Sequence, residues 1–204
     1  MPQIIGLLLA GGRGRRFDPS GQHNKLLACL PDGQTVLHAS CRNMLAWVDR
    51  LVVVTGSQIT VLRQALQDLD VDWIECASVD QGIGATLKAG VSQTAPGLGW
   101  LVGLADMPFV APQTYRVMVE TLRGGARLAR PVLAGQPGHP VACAAGLRPE
   151  LSRLSANAGL STLAHLDPDA MQAVNVDDGG CVRDIDLPGD LPGALTLFPS
   201  AGPG

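Results

Sequence analysis

The chain has 204 residues, of which 46% are hydrophobic, and a net charge of −3, so it is long enough for one domain with a sizeable core. The negative charge argues against a nucleic-acid-binding protein, which usually carries a broad basic face. No apolar run reaches the length of a membrane span, and the short apolar stretch at the N-terminus lacks the basic region that precedes it in a signal peptide. We therefore expect a cytoplasmic protein that binds neither nucleic acid nor membranes.

Strand-like and helix-like segments alternate along most of the sequence. Strands are predicted at 4–10, 51–54, 71–76 and 100–104, and helices at 35–48, 57–69, 84–92 and 112–122. Beyond residue 123 the pattern loosens, with strands predicted at 127–133, 140–144 and 171–176, a turn at 135–138, and short helices at 147–154 and 160–166. This alternation predicts a Rossmann-like three-layer α/β/α fold with a mostly parallel central sheet. We predict a single domain over residues 1–204, with a core of about residues 3–191 and a loosely held tail over 192–204.

A glycine-rich and arginine-rich turn follows the first predicted strand. Residues 10–16 read Ala-Gly-Gly-Arg-Gly-Arg-Arg, and four of the fifteen cationic side chains fall within residues 13–25. Glycines let backbone N–H groups approach a ligand closely, and arginine and lysine add donors for phosphate oxygens. The turn therefore predicts a phosphate-bearing ligand. It is not a P-loop, and Phe17 stands where a dinucleotide-binding fingerprint has its third glycine, which disfavours an oxidoreductase.

Three aspartates are candidate metal ligands. Asp106 follows the fourth predicted strand, and ligands of parallel sheets bind beyond the carboxyl ends of the strands. Asp106 should therefore share an edge of the sheet with the glycine turn, where a carboxylate can hold Mg²⁺ beside substrate phosphates. Asp184 and Asp186 have a spacing of two in a predicted extended segment, so they project to the same side. Either could complete the site, and the alternative for this pair is a solvated, acidic strand end.

Two further segments are candidates for ligand binding. Residues 80–87 place two glycines just before a predicted helix, whose N-terminus favours negative charge. His139 lies between a glycine and a proline in a backbone that should be extended, although the residues alone favour a structural role. The histidines and cysteines show neither metal-ligand spacing nor a nucleophile–base set, so neither a zinc site nor covalent catalysis is indicated.

The order of these motifs resembles the MobA-like nucleotidyltransferases, and within them the molybdenum cofactor cytidylyltransferases. The resemblance covers about residues 3–191 and depends on six segments, at 9–17, 24–27, 81–87, 104–108, 138–140 and 184–191. It implies an enzyme that moves a nucleoside monophosphate from a nucleoside triphosphate to the phosphate of molybdopterin, with release of pyrophosphate. It also implies Mg²⁺ as the cofactor and a molybdoenzyme as a protein partner.

The resemblance also implies roles for individual residues. Arg16 and Lys25 would neutralise the triphosphate and, with Asp106, form the catalytic set. Asp106 and Asp186 would bind Mg²⁺, and His139 would lie in the pocket for the acceptor. The nucleotide would be bound by Leu9, Ala10, Gly11, Gly12, Arg13, Gly14, Lys25, Gln81, Gly82, Gly84 and Thr86.

The motifs differ in the base that they favour. The double glycine at 11–12 is commoner in the guanylyl branch of the family, whereas segments 104–108 and 138–140 resemble the cytidylyl branch, so CTP is favoured over GTP. Two alternatives stay open. One is the same transfer to a sugar phosphate or another small phosphate acceptor, and the other is a non-catalytic, chaperone-like module that binds a nucleotide or cofactor.

Overall fold

The computed structural model describes residues 2–12, 14–159, 162 and 171–192. Within these residues the strands are β1 (Ile4–Ala10), β2 (Arg50–Thr55), β3 (Asp72–Glu75), β4 (Gly99–Leu104), β5 (Leu128–Leu133), β6 (Gln136–Pro137), β7 (Val141–Ala144) and β8 (Met171–Asn175). The α-helices are α1 (Val36–Leu45), α2 (Ile59–Gln64), α3 (Ile83–Gln93), α4 (Pro112–Arg123) and α5 (Arg148–Arg153). Nearly all of the predicted helix at 160–166 and of the predicted tail lies outside the described residues.

The strands form one mixed sheet in the order β3-β2-β1-β4-β7-β5. Strand β8 pairs with β5 on the side away from β7, and the short β6 also pairs with β5. The first four strands pair in parallel, and so do β5 and β8. Strand β7 is antiparallel to both β4 and β5, so β5 and β8 again run in the direction of β1 to β4. The carboxyl ends of β1, β4 and β5 therefore lie at one edge of the sheet, which confirms the predicted mostly parallel fold.

Helices cover both faces of the sheet because its central strands are apolar on both sides. All seven residues of β1 are buried. Side chains of α1 and α4 pack into a core cluster on one face, and side chains of α3 and α5 pack into a second cluster on the other. Consecutive residues of a strand alternate between these clusters, as a doubly covered sheet requires. The predicted three-layer arrangement is confirmed.

Some predicted boundaries are wrong. The turn predicted at 135–138 is tighter than expected: Ala134 and Gly135 have φ angles of 49° and 86°, so the chain reverses there and residues 136–137 already form β6. The predicted cap at Thr35 forms, with its side chain accepting a hydrogen bond from His38 N at 3.1 Å. The next helix is shorter than predicted: it begins after Gln58, which makes no side-chain cap hydrogen bond, and it ends at Gln64. None of the described helices is both long and apolar enough to cross a membrane.

Candidate active site

The conformation of the glycine turn is fixed by a glycine with a left-handed backbone conformation and by a buried aromatic ring that follows it. Gly14 has a φ of 60°, which favours glycine. Its backbone oxygen accepts hydrogen bonds from the N–H groups of Phe17 and Asp18, each at 2.9 Å. The Phe17 side chain is buried in the core, while Arg16 stays exposed above it. The turn therefore presents its cationic groups to the edge of the sheet. Arg13 lies outside the described residues.

The loop that follows is closed by Asp18. Its carboxylate accepts from the backbone N–H and hydroxyl of Ser20, at 2.9 and 2.6 Å, and from His23 N at 2.7 Å. These hydrogen bonds hold the pKa of Asp18 below its ordinary value, and the bond from the Ser20 hydroxyl has the largest effect. The loop leads to Asn24, whose side chain caps the 3₁₀ turn Lys25–Leu27 by accepting from Leu26 N at 2.9 Å. This cap sets the direction in which the Lys25 side chain leaves the backbone.

The Lys25 ammonium joins two distant parts of the chain. Its Nζ donates to Asp106 Oδ2 at 2.6 Å, to Asp186 Oδ1 at 3.1 Å and to the backbone oxygen of Ile185 at 2.8 Å. Arg16 Nη1 lies 2.8 Å from the other oxygen of Asp186. The three predicted catalytic residues and the second predicted metal ligand therefore lie in one cluster, which we call the lysine–carboxylate cluster.

Electrostatics favour the charged form of this lysine. Its side chain is only 7% exposed, and burial alone would lower the pKa of Lys25. The negative charges of Asp106 and Asp186 outweigh that effect and raise the pKa above its ordinary value. The group is therefore an ammonium at neutral pH, able to neutralise phosphate or carboxylate oxygens.

Two carboxylates of the cluster, together with that of Asp184, could hold a divalent metal ion. Asp106, Asp184 and Asp186 each offer one oxygen, and these oxygens lie within 4.8 Å of one another. Burial, followed by the negative charge of Asp186, raises the pKa of Asp184, which shows that the carboxylates repel one another. Mg²⁺ and Mn²⁺ prefer such hard oxygen ligands. The donor set fits a divalent cation, and both members of the predicted 184/186 pair belong to it.

Two aspartates that sequence analysis did not single out position the segment that carries Asp186. Asp190 Oδ2 accepts from the backbone N–H groups of Asp186 and Leu187, at 2.9 and 2.7 Å. Asp178 Oδ2 accepts from Ala111 N at 2.9 Å and from the Thr114 hydroxyl at 2.6 Å, so it also caps α4. A carboxylate just after a Pro-Gly pair, as at Asp190, is a turn signal that could have been recognised.

A second set of contacts docks this segment against the sheet. Ile185 is fully buried, and its N–H donates to the backbone oxygen of Asp106 at 2.9 Å. The N–H of His139 donates to the backbone oxygen of Cys181 at 2.8 Å. The backbone itself therefore brings Asp186 to Asp106, independently of the side chains.

The cleft at this edge contains two adjoining cavities. The smaller cavity has a volume of about 320 Å³. Half of its lining consists of predicted nucleotide-binding residues, namely Leu9, Gly11, Gly12, Gly82 and Thr86. The other lining residues are Val79, Asp80, Ile83, Leu104 and Asp106. The larger, of about 560 Å³, shares Gly11, Gly12, Val79 and Asp80 with it and extends past Ala10 and Arg15 to Asn24 and residues 55–58. Together they form a groove beside the lysine–carboxylate cluster that is wide enough for a nucleotide.

Three of the predicted nucleotide-binding residues, Gly14, Gln81 and Gly84, do not line this groove. A Cβ on Gly84 would come within 2.2 Å of the backbone oxygen of Ser155, so this glycine permits close packing of α3 on segment 155–158. Gln81 is exposed and lines a separate surface hollow with Lys88. Gly14 packs over Lys25, because a Cβ added to Gly14 would lie 3.5 Å from Cγ of the lysine. Nucleotide binding by these residues stays a prediction.

His139 lies on the other side of Asp106 from the glycine turn. Its ring is held neutral, because burial and then the charge of Arg130 lower the pKa of His139 to about 4. The negative charge of Asp106 acts on it in the opposite direction, so the two groups are close. Its Nδ1 atom is buried without a hydrogen-bond partner among the described residues. Arg130, which sequence analysis missed, lies in a strand and carries no motif that would single it out.

Known proteins share this fold and sequence pattern. The family model described as "MobA-like NTP transferase domain" matches residues 6–173. Rv0371c from Mycobacterium tuberculosis H37Rv is 28% identical, with 92% of this chain and 95% of that chain covered and a TM-score of 0.79. Its manganese complex has the same identity and coverage and a TM-score of 0.73. A nucleotidyl transferase from Methanothermobacter thermautotrophicus, Mth528, is 26% identical, with 92% and 94% covered and a TM-score of 0.78.

A search of curated proteins gave no match. The family model nevertheless extends over most of the chain, from within β1 to within β8. It includes the glycine turn, Lys25, Asp106 and His139, and Asp186 follows it. This protein belongs to the MobA-like NTP transferase family and is a nucleotidyltransferase.

Proposed function

We propose that this protein transfers CMP from CTP to the phosphate of molybdopterin or the molybdenum cofactor, with release of pyrophosphate and with Mg²⁺ as the cofactor. The lysine–carboxylate cluster of Arg16, Lys25, Asp106 and Asp186 beside the glycine turn is the observation that carries the proposal. The resemblance of segments 104–108 and 138–140 to the cytidylyl branch supports CTP over GTP. A molybdoenzyme is the proposed recipient of the product.

Binding of the triphosphate is assigned to the cationic side of the groove. The exposed Arg15 and Arg16 and the backbone of the glycine turn can donate to phosphate oxygens. The base and ribose are assigned to the smaller cavity, where Gly11 lies against Thr86 so closely that an added Cβ would be 2.6 Å from its hydroxyl. A side chain at position 11 would therefore collide with Thr86 and Val79, which line the same cavity.

The reaction is a displacement at the α-phosphorus. An oxygen of the acceptor phosphate forms the new bond to this phosphorus while the bond to the bridging oxygen breaks, and pyrophosphate leaves with that electron pair. The acceptor phosphate is already anionic at neutral pH, so the transfer needs no strong general base. The obstacle is electrostatic, because two anions approach each other and charge accumulates on the leaving group.

The residues of the cluster counter this charge. Lys25 and Arg16 supply fixed positive groups, one buried and one exposed, that can hold the triphosphate in line for attack. Asp106 and Asp186, with Asp184 nearby, would hold Mg²⁺, which when bound polarises the phosphoryl oxygens and neutralises developing charge. The segment containing Asp186 and the loop after β4 keep these groups at fixed distances before substrate arrives.

The experiment that tests the proposal measures pyrophosphate release. CTP, GTP, ATP and UTP are each incubated with molybdopterin, with and without Mg²⁺, and the adduct is identified by mass spectrometry. We expect release only with Mg²⁺ and fastest with CTP. A panel of sugar phosphates runs in parallel, and faster transfer to one of these would replace molybdopterin as the acceptor. Binding of CTP without release of pyrophosphate from it in the presence of any acceptor would favour the non-catalytic module instead.

A further inference from the structure

Arg130 lies on β5 and faces the side of the sheet that is covered by α3 and α5. Side chains alternate along a strand, and Leu128 belongs to the core cluster on that side, whereas Ala129 belongs to the cluster on the opposite side. Leu9 belongs to the same cluster as Leu128, Leu104 packs against it, and both line the smaller cavity. Arg130 and that cavity therefore share one face of the sheet.

The charge of Arg130 has no acidic partner among the described residues. Its Nε atom is buried without a hydrogen-bond partner there, and its Nη2 atom donates to the backbone oxygen of Gly138 at 3.4 Å. Burial lowers the pKa of Arg130, which reflects the cost of keeping its charge away from water. A partly buried cation without a counter-charge is unfavourable, and a bound anion would relieve it.

His139 extends this polar region toward the cluster. It follows Gly138, whose oxygen accepts from Arg130, and the positive charge of Arg130 acts on its ring. The negative charge of Asp106 acts on the same ring with the opposite sign. The buried, unpartnered Nδ1 of His139 adds a second polar atom that lacks a partner in the described part of the chain. Arg130, His139 and Asp106 thus form a row that leads to the cleft.

The order of the strands indicates which of the two substrates Arg130 and His139 would contact. Strand β4, which leads to Asp106, lies between β1 and β7, and β5 lies beyond β7. The glycine turn follows β1, whereas His139 precedes β7 and Arg130 belongs to β5. The proposed nucleotide site and the Arg130–His139 pair are therefore on opposite sides of Asp106. A group bound by the pair would face the proposed triphosphate site across Asp106.

We propose that Arg130, which lies beside His139, binds an anionic phosphate group of the acceptor. The inference rests on the proposed function for the presence of an acceptor, but the anion site itself can be tested separately. The forked N–H groups of a guanidinium match phosphate oxygens. The acceptor class is therefore a phosphate ester, held by a positive group that the triphosphate does not use.

The test uses inorganic phosphate as the probe. Mg²⁺ and a CTP analogue with a methylene group between the α- and β-phosphorus first fill the triphosphate site of the full-length protein. Phosphate is then titrated while the His139 imidazole signals, identified with His139→Gln, are followed by NMR. We expect Arg130→Gln to weaken phosphate binding by about tenfold or more, as loss of a charge-assisted contact does, with the affinity for the CTP analogue unchanged. Arg130→Lys keeps the charge without the fork and should lose less.

Arg127→Gln is the matched control, because Arg127 is exposed and lies 3.9 Å from Glu150 at the start of the same strand. Equal phosphate binding in wild type and Arg130→Gln would overturn the inference, and so would equal weakening in Arg127→Gln. If Arg130→Gln does not fold, an unchanged phosphate affinity in Arg130→Lys together with no shift of the His139 signals would overturn it. Transfer by wild type with unaffected phosphate binding in Arg130→Gln refutes the anion site alone. Phosphate binding that depends on Arg130, without any nucleotidyl transfer, refutes the proposed function alone.

Discussion

Replacing Lys25 with methionine should strengthen the binding of a divalent cation to the nucleotide-free protein, although the residue is proposed to act in catalysis. The ammonium donates to Asp106 and Asp186 at 2.6 and 3.1 Å, and both carboxylates belong to the candidate metal site. A cation held there must compete with the ammonium for the same oxygens. Charge-assisted hydrogen bonds are worth about 1.5–3 kcal/mol, so removal of this competitor should raise Mn²⁺ affinity by about ten- to a hundredfold.

The affinity is measured by titrating Mn²⁺ into nucleotide-free protein and following the electron paramagnetic resonance signal of the free ion. Lys88→Met is the matched control, since Lys88 is the other lysine of the chain and lies on α3, away from the cluster. Asp106→Asn removes a charged oxygen ligand and should weaken binding. Equal Mn²⁺ affinities for wild type and Lys25→Met, with both proteins folded, would refute the idea that lysine and metal share these carboxylates.

Asp106→Ala should lower kcat by about 10²-fold or more, as loss of a preorganised electrostatic group does, and near-normal turnover at saturating Mg²⁺ would remove Asp106 from the catalytic set. Asp190→Ala should raise the Mg²⁺ concentration needed for half-maximal activity, because the N–H groups of residues 186 and 187 lose their acceptor. Asp190→Asn keeps an acceptor oxygen and should be close to wild type, so identical Mg²⁺ requirements for the two variants would contradict this role. Gly84→Ala should lower the melting temperature, because its Cβ would meet the backbone oxygen of Ser155 at 2.2 Å, whereas a Cβ on Gly12 meets nothing within 4 Å. Equal thermal denaturation curves for Gly84→Ala and Gly12→Ala would show that this close packing does not matter.

Part of the candidate site follows directly from local sequence. The apolar run at 4–10 predicts a buried strand, and a glycine turn after it must lie at the carboxyl edge of a parallel sheet. The same rule places Asp106 there, because it follows another apolar strand. These predictions need no knowledge of tertiary contacts, and the strand order with β1 beside β4 agrees with them.

Other features depend on contacts that local patterns do not encode. Lys25 meets Asp106 and Asp186 across sequence separations of 81 and 161 residues. Gly84 resembles a phosphate-binding glycine in sequence, but it faces the backbone of segment 155–158. The lack of an acidic partner for Arg130 within the described part of the chain is a property of the folded structure and is not encoded in the sequence around it. Long-range packing decides these cases, and a single sequence does not reveal it.

The late position of Asp186 has a consequence for protein synthesis. The glycine turn, Lys25 and Asp106 leave the ribosome well before Asp186 does, and the N-terminal part of a chain begins to fold first. A nascent polypeptide therefore has the cationic groups of the proposed triphosphate site and Asp106 before Asp184 and Asp186 are translated. A product that ends between Asp106 and Asp184 would keep those cationic groups but would lack two of the three carboxylates of the candidate metal site.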